Sequence, residues 1–252
     1  MKKWLLLSCL FSIQSYAGSI STYRIYLDSE HRQQKFMVKN SNPYSERCEI
    51  SFDYMSYVEG GGEVKPLSNE QKIALSAPAQ KRLRYSPRQF TIKPKTTQYV
   101  AFSYQRQIND RPAEYRTYAN IKCLEIYKNE NEGINFSPII VHSVPLVIRT
   151  GKPSDLQASL TFSQVKQQAK KISFRIQHQG TRSVYGDLNL VNTQGEKIKL
   201  LQKNVVIYPE MKFKDFSFNL PESTKTNMKI VFQETGGENF NQEFILPLEG
   251  EL

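Results

Sequence analysis

Residues able to do chemistry are few and far apart. Histidine occurs only at His31, His142 and His178, and none stands in an HExxH or paired-ligand spacing. An isolated histidine in a strand-like segment is far more often a core or solvated residue than a ligand. No Gly-x-Ser-x-Gly elbow and no phosphate-cradling glycine loop occurs. Carboxylates are scattered, which leaves a sugar-hydrolase pair open as an alternative but supplies no motif for one. The expectation is a chain with no catalytic residues, no metal and no cofactor, and therefore not an enzyme.

Cysteine is the remaining reactive type, at Cys9, Cys48 and Cys123. Cys9 falls in a leader. Met1-Lys2-Lys3 is followed by an apolar stretch from Trp4 to Ile13 and then by Ser15-Tyr16-Ala17-Gly18. A basic start, a short apolar core and small residues at −3 and −1 predict a signal peptide over 1–17, cut after Ala17. Leu6-Leu7-Ser8-Cys9 looks like a lipoprotein box, but only about five apolar residues precede the cysteine, short of the usual 7–15. Cys48 and Cys123 then remain in an exported protein, where one disulfide is expected and two buried thiols are the alternative.

Composition narrows the class. The chain has 252 residues, 39% hydrophobic, 12% aromatic and 23% charged. That suits one large or two small globular domains and is too aromatic for a disordered chain. Beyond the leader no apolar run reaches the roughly 18 residues of a membrane helix, so no integral membrane segment is expected. The formal charge is +10. Loss of Lys2 and Lys3 leaves 32 basic against 24 acidic residues, or +8. There is no RNA-binding signature and no basic run longer than Gln80-Lys81-Arg82-Leu83-Arg84. The charge favours solubility, acidic partners or membrane surfaces, with no nucleic acid as partner.

The elements that must position these residues read as strands. Ser21 to Leu27 alternates, with Tyr23, Ile25 and Leu27 on one face. Gln34 to Asn40 carries Phe36 and Val38 on one face. Glu46 to Tyr57 aligns Cys48, Ile50, Phe52 and Tyr54. Lys81 to Ile92 contains Pro87, which predicts an edge or a break. Thr97 to Gln105 alternates, and Glu114 to Tyr127 aligns Thr117, Ala119, Ile121 and Cys123. Ile139 to Ile148 is almost continuously apolar, as for a strand buried on both sides. About seven strands between turns predict an immunoglobulin-like β-sandwich over 18–150. If Cys48 opposes Cys123, Ile50 opposes Ile121 and Phe52 opposes Ala119, so disulfide and core face agree. Val58 to Gln80, with Gly60-Gly61-Gly62, Pro66, Pro78 and a short helix start at Ser68-Asn69-Glu70, reads as an exposed insertion.

Thr150-Gly151-Lys152-Pro153-Ser154 is the best boundary. Beyond it come Gln157–Phe162, Lys171–His178, Val184–Val191, Lys197–Leu201, Val205–Tyr208, Phe213–Phe218, Met228–Phe232 and Glu243–Leu248. They predict a second β-sandwich over 151–252, and the fold class is all-β.

Several segments carry a family likeness. Tyr23-Arg24-Ile25-Tyr26-Leu27-Asp28, Val38-Lys39-Asn40-Ser41-Asn42-Pro43, Tyr85 to Pro94, Gln98-Tyr99-Val100, Pro112-Ala113-Glu114-Tyr115-Arg116 to Ile121, and Val144-Pro145-Leu146-Val147-Ile148-Arg149 follow in order. As a set covering about residues 20–150, the chain resembles a divergent branch of the PapD-like periplasmic chaperones of chaperone–usher pili. In the second domain only Val231 to Gly237 matches, and loosely.

The resemblance implies two immunoglobulin-like sandwiches in a boomerang arrangement, in the periplasm. It implies binding of pilin-like subunits whose immunoglobulin-like fold lacks a strand, and their delivery to an outer-membrane usher. The chaperone lends its seventh strand, for which Phe136, Ile139, Ile140, Val141 and Val144 are the candidates; ordinary core residues are the alternative. Arg24 matches the cation that holds the subunit's C-terminus. The family's second cation, a lysine, falls on Pro145. An ion network of Glu114, Arg149 and Glu234 is implied between the domains. The competing expectation is a secreted structural or adhesive β-sandwich protein.

Overall fold

A computed structural model describes residues 19–126, 139–168, 171–192, 194–220, 228–235 and 241–245. The expected signal peptide lies outside them. Apolar residues at every second position of short segments demand sheets that face each other, and the first part of the chain obeys. Its strands are β1 (Ser19–Ile20), β2 (Ile25–Leu27), β3 (Gln33–Lys39), β4 (Glu46–Asp53), β5 (Ser56–Tyr57) and β6 (Val64–Lys65). The helix α1 (Asn69–Gln80) follows, then β7 (Leu83–Ser86), β8 (Gln89–Ile92), β9 (Thr97–Tyr104), β10 (Ala113–Glu125) and β11 (Ile140–Thr150). One sheet has the order β1-β3-β9-β7 and its partner β2-β11-β10-β4-β8; β5 and β6 form a separate ribbon.

Phe36, Val38, Val100 and Phe102 from the first sheet meet Ile50, Ala119, Ile121, Val144, Leu146 and Ile148 from the second, all buried. Each fully buried large side chain contributes about 1.5–3 kcal/mol. Opposite each other across β4 and β10 stand Cys48 and Cys123, Ile50 and Ile121, and Phe52 and Ala119. The register expected from the sequence is therefore present, and Cys48 is bonded to Cys123. Pro87 marks a break: β7 pairs with β9, β8 pairs with β4, and the chain changes sheet between them.

The insertion corrects the expectation of an exposed excursion. α1 runs for 12 residues, opened by a capping box in which Ser68 Oγ accepts from Gln71 N–H and Gln71 Oε1 accepts from Ser68 N–H. It lays the buried Ser76 and Ala79 toward β10, and Ser76 Oγ lies 2.5 Å from Thr117 Oγ1. Ile73 and Leu75 point outward. Small residues face the sheet and large ones face water, so the helix has no apolar stripe to read.

Residues 158–245 form β12 (Ala158–Gln168), β13 (Lys171–Gly180), β14 (Val184–Val191), β15 (Lys197–Ile207), β16 (Phe213–Asn219), β17 (Lys229–Glu234) and β18 (Asn241–Ile245). The sheets β12-β13-β16 and β15-β14-β17-β18 enclose Ile172, Phe174, Ile176, Leu188, Leu190, Ile230 and Phe232. Two strands expected at 197–201 and 205–208 are one, β15. The pairing with β14 jumps between Gln202 and Val205, and Asn204 stands there at φ +55°. Such a bulge interrupts the alternation without ending the strand. Among the described residues no helix is long and apolar enough to cross a membrane.

Candidate functional site

Arg24 stands immediately before β2, its backbone N–H and C=O both tied to Thr22 Oγ1. It lines a cleft of about 500 Å³ between the domains, with Thr22, Tyr26, His31 and Gln34 from the first and Tyr185 and Thr235 from the second. Only 8% of Arg24 is exposed. Its guanidinium donates to Ser183 Oγ at 3.1 Å and sits 5.0 Å from the Tyr185 ring centroid and 5.9 Å from that of Tyr26. Nε of Arg24 has no hydrogen-bond partner among the described residues. Burial draws its pKa down, and nearby Glu114 offsets only part of that shift. Arginine stays protonated under such shifts, so the cleft holds a fixed positive charge with a donor to spare.

Below the cleft the two domains are joined by charge. Arg149, near the end of β11, donates from Nε to Glu114 at 2.9 Å and from NH2 to the Ser183 carbonyl at 2.7 Å. Glu114 also accepts the Ser183 backbone N–H. Burial opposes the charge of Glu114, but Arg149 and Arg24 outweigh it and hold the carboxyl below its ordinary range. Glu234 accepts from Arg182 NH1 at 2.7 and 3.0 Å. Of the three residues expected to form a network, Glu114 and Arg149 are bonded to each other, and Glu234 pairs with Arg182, the neighbour of Ser183; strand patterning singled out neither Ser183 nor Arg182.

A second junction was also not legible. Glu114, Arg116 and Tyr118 alternate along the outward face of β10, and each touches the second domain. Arg116 donates to Glu210, to Tyr54 Oη at 3.2 Å and to the Met55 carbonyl at 3.1 Å. Its Cζ lies 3.7 Å from the Tyr208 ring centroid. Burial lowers the pKa of Arg116, but the bond to Glu210 prevails and the net shift is upward. Tyr118 Oη bonds to Tyr208 Oη at 3.3 Å, and burial raises its pKa. On a strand these residues resemble an ordinary solvated face; only the second domain's position reveals otherwise.

β11 changes character along its length. It pairs with β10 throughout, from Cys123–Ile140 to Ala113–Thr150. On its other side β2 pairs in parallel with Leu146, Val147 and Ile148 alone. Among the described residues, nothing pairs with 140–145 on that side. Ile139 (56% exposed), Ile140 (42%) and Val141 (47%) are apolar and open there. The stretch expected to be buried on both sides is so only from Leu146 on, where β2 pairs with it. Val144 is 1% exposed and belongs to the core, because it faces inward between the sheets. This removes it from the donor candidates. Phe136 lies outside the described residues. Pro145 faces outward beside the open edge, opposite Tyr118, and brings no charge.

Of the histidines, His178 is buried and donates from Nε2 to the Arg182 carbonyl at 2.9 Å, a structural role. His31 lies 3.3 Å from Asp28 at the cleft. Glu46, Cys48 and Cys123 cluster, but the two sulfurs are bonded to each other and offer no thiolate to a metal.

No family model and no curated protein matches the chain. Among solved structures it is similar to the CsuC–CsuE chaperone–tip adhesion subunit pre-assembly complex from archaic chaperone-usher Csu pili of Acinetobacter baumannii. The identity is 13%, over 90% of this chain and 98% of that one, with a TM-score of 0.48. It is similar to the Pseudomonas aeruginosa CupB2 chaperone at 12% identity, over 91% and 100% of the chains, with a TM-score of 0.47. For the E. coli chaperone DraB the identity is 11%, over 92% and 98%, with a TM-score of 0.44.

Proposed function

We propose that the chain is a non-enzymatic periplasmic chaperone for subunits with incomplete immunoglobulin-like folds, and that it passes them to an outer-membrane usher. The observation that carries this reading is the split character of β11. The strand is anchored in the sandwich over 146–150 and presents an unpaired edge with apolar side chains over 139–141. A subunit missing a strand has the complementary defect, an apolar groove bounded by unpaired backbone groups. Pairing along the edge supplies hydrogen bonds, and alternate side chains of the stretch, Ile139 and Val141 on one face and Ile140 on the other, are the apolar groups offered to pockets in the groove. Arg24, buried with a free donor at the end of the same edge, receives the subunit's terminal carboxylate. Its single fixed charge takes the part that a second cation would share if position 145 were lysine.

The test is co-expression with the subunit encoded beside this gene. A soluble periplasmic complex containing the subunit is expected. Free subunit that aggregates equally with and without the chain would end the proposal. Recovery of the chain on the cell surface would instead favour an adhesive β-sandwich protein.

A further inference from the structure

We infer that Arg116 is a positioning residue that, with Tyr208, Glu210 and the 54–61 loop, fixes the angle between the two domains and so the width of the Arg24 cleft. A single chain crossing at 151–157 joins the domains, and one covalent link by itself leaves a hinge. The Glu114–Arg149–Ser183 cluster is one contact across that hinge, and rotation about one contact remains possible. Arg116 supplies a second, separate one.

Its guanidinium links three segments at once. It leaves β10, lies over Tyr208 and bonds Glu210 in the turn Pro209–Met211, and bonds Tyr54 and Met55 just before the insertion. Tyr57 stacks on the same Tyr208 ring, 5.5 Å between centroids. The insertion then reaches over: Gly60 N–H donates to the Met211 carbonyl at 2.8 Å. Gly60 and Gly61 have φ +91° and +71°, and a Cβ on Gly61 would stand 2.8 Å from Met211 Sδ. The approach is possible because both residues are glycine. The loop therefore straps the first domain to the second, where an idle excursion would hang in solvent. A buried, planar fork with aromatic faces holds direction as well as charge, which a point charge on a flexible stem does not.

The experiment uses the full chain alone, so its result is independent of whether a subunit is ever bound. Spin labels are placed at Lys35 and Lys171 through non-cysteine chemistry, leaving Cys48–Cys123 intact, and the interdomain distance distribution is measured. In Arg116→Met the distribution is expected to widen at least twofold, while Arg116→Lys recovers only part of the original width. Lys122→Met, which breaks an exposed ion pair inside the first domain toward the far end of β10, leaves it unchanged. Should Arg116→Met not fold, Glu210→Gln and Gly61→Ala act on the same junction from its other sides and carry the same expectation. A distribution unaltered in the folded variants overturns the proposal.

Discussion

The Glu114 carboxylate receives the backbone N–H of Ser183 3.0 Å from each of its oxygens, across the gap between the two domains. Arg149 donates to the same carboxylate, and its own second arm reaches the Ser183 carbonyl. One residue of the second domain, Ser183, is thus held at both its backbone donor and its acceptor. Glu114→Ala removes the buried carboxylate shared by Arg149 and the Ser183 N–H, and with it the strongest charge favouring protonated Arg24. A loss of about 3–5 kcal/mol is expected in urea unfolding, the usual penalty for breaking a buried ion pair from one side.

The pH dependence follows from two groups. His178 has its pKa lowered by burial from an ordinary 6.5. As pH falls below 6.5 the unfolded chain takes up the proton first, so native stability declines until the folded value is passed. Glu114 is also lowered, from 4.5, so its contribution is present above that value and is lost as pH falls through the folded one. Thermal melts from pH 8 down to about 2 should show two successive losses, and His178→Gln should flatten the upper one alone.

Removing the disulfide with Cys48→Ala and Cys123→Ala opens a loop of 75 residues. The double variant should lose about 2–4 kcal/mol of stability, read from denaturant midpoints. Because the pair is part of the core face, some of that loss should persist when the wild type is measured under reducing conditions.

The two faces of β11 separate function from packing. Val141→Lys, on an exposed position, should leave stability within about 0.5 kcal/mol yet lower the yield of subunit complex severalfold. Val144→Ala, in the core, should cost about 2 kcal/mol and lower complex yield only as far as unfolding does. Equal behaviour of the two variants would mean that the edge is not where a subunit binds.

Arg24→Ala should preserve the melting profile of the first domain's sheets and reduce complex recovery. The same variant should weaken protection by a peptide ending in a free carboxylate more than by its amidated form, measured by competition. An equal effect on both peptides would remove Arg24 from carboxylate capture.

How much could be read beforehand depends on where the information sits. The Cys48–Cys123 register was legible because period-two alternation on both strands points cysteine and core to the same side. Pro87 announced the sheet change because proline cannot continue a ladder. The helix at 69–80 was hidden: its buried side chains are Ser76 and Ala79, and its exposed ones include Ile73 and Leu75, the reverse of an amphipathic pattern. The Ser68–Gln71 capping box was the available signal. Arg116 and Tyr118 were hidden for another reason. Their alternation marks them as outward, and whether outward means water or a second domain depends on contacts nearly 100 residues away.

The shortness of β2 has one more consequence. It lies in line with the vacant track beside 140–145 and runs in the same direction as β11, with Ile25 level with Leu146. A visiting strand in that track whose last residue meets Arg24 must also travel parallel to β11, and it halts where β2 begins. The track is six residues long, about 20 Å at strand rise. For a guest bound as proposed, β2 is a doorstop: it measures out how much of the guest can be threaded and sets its alignment by collision.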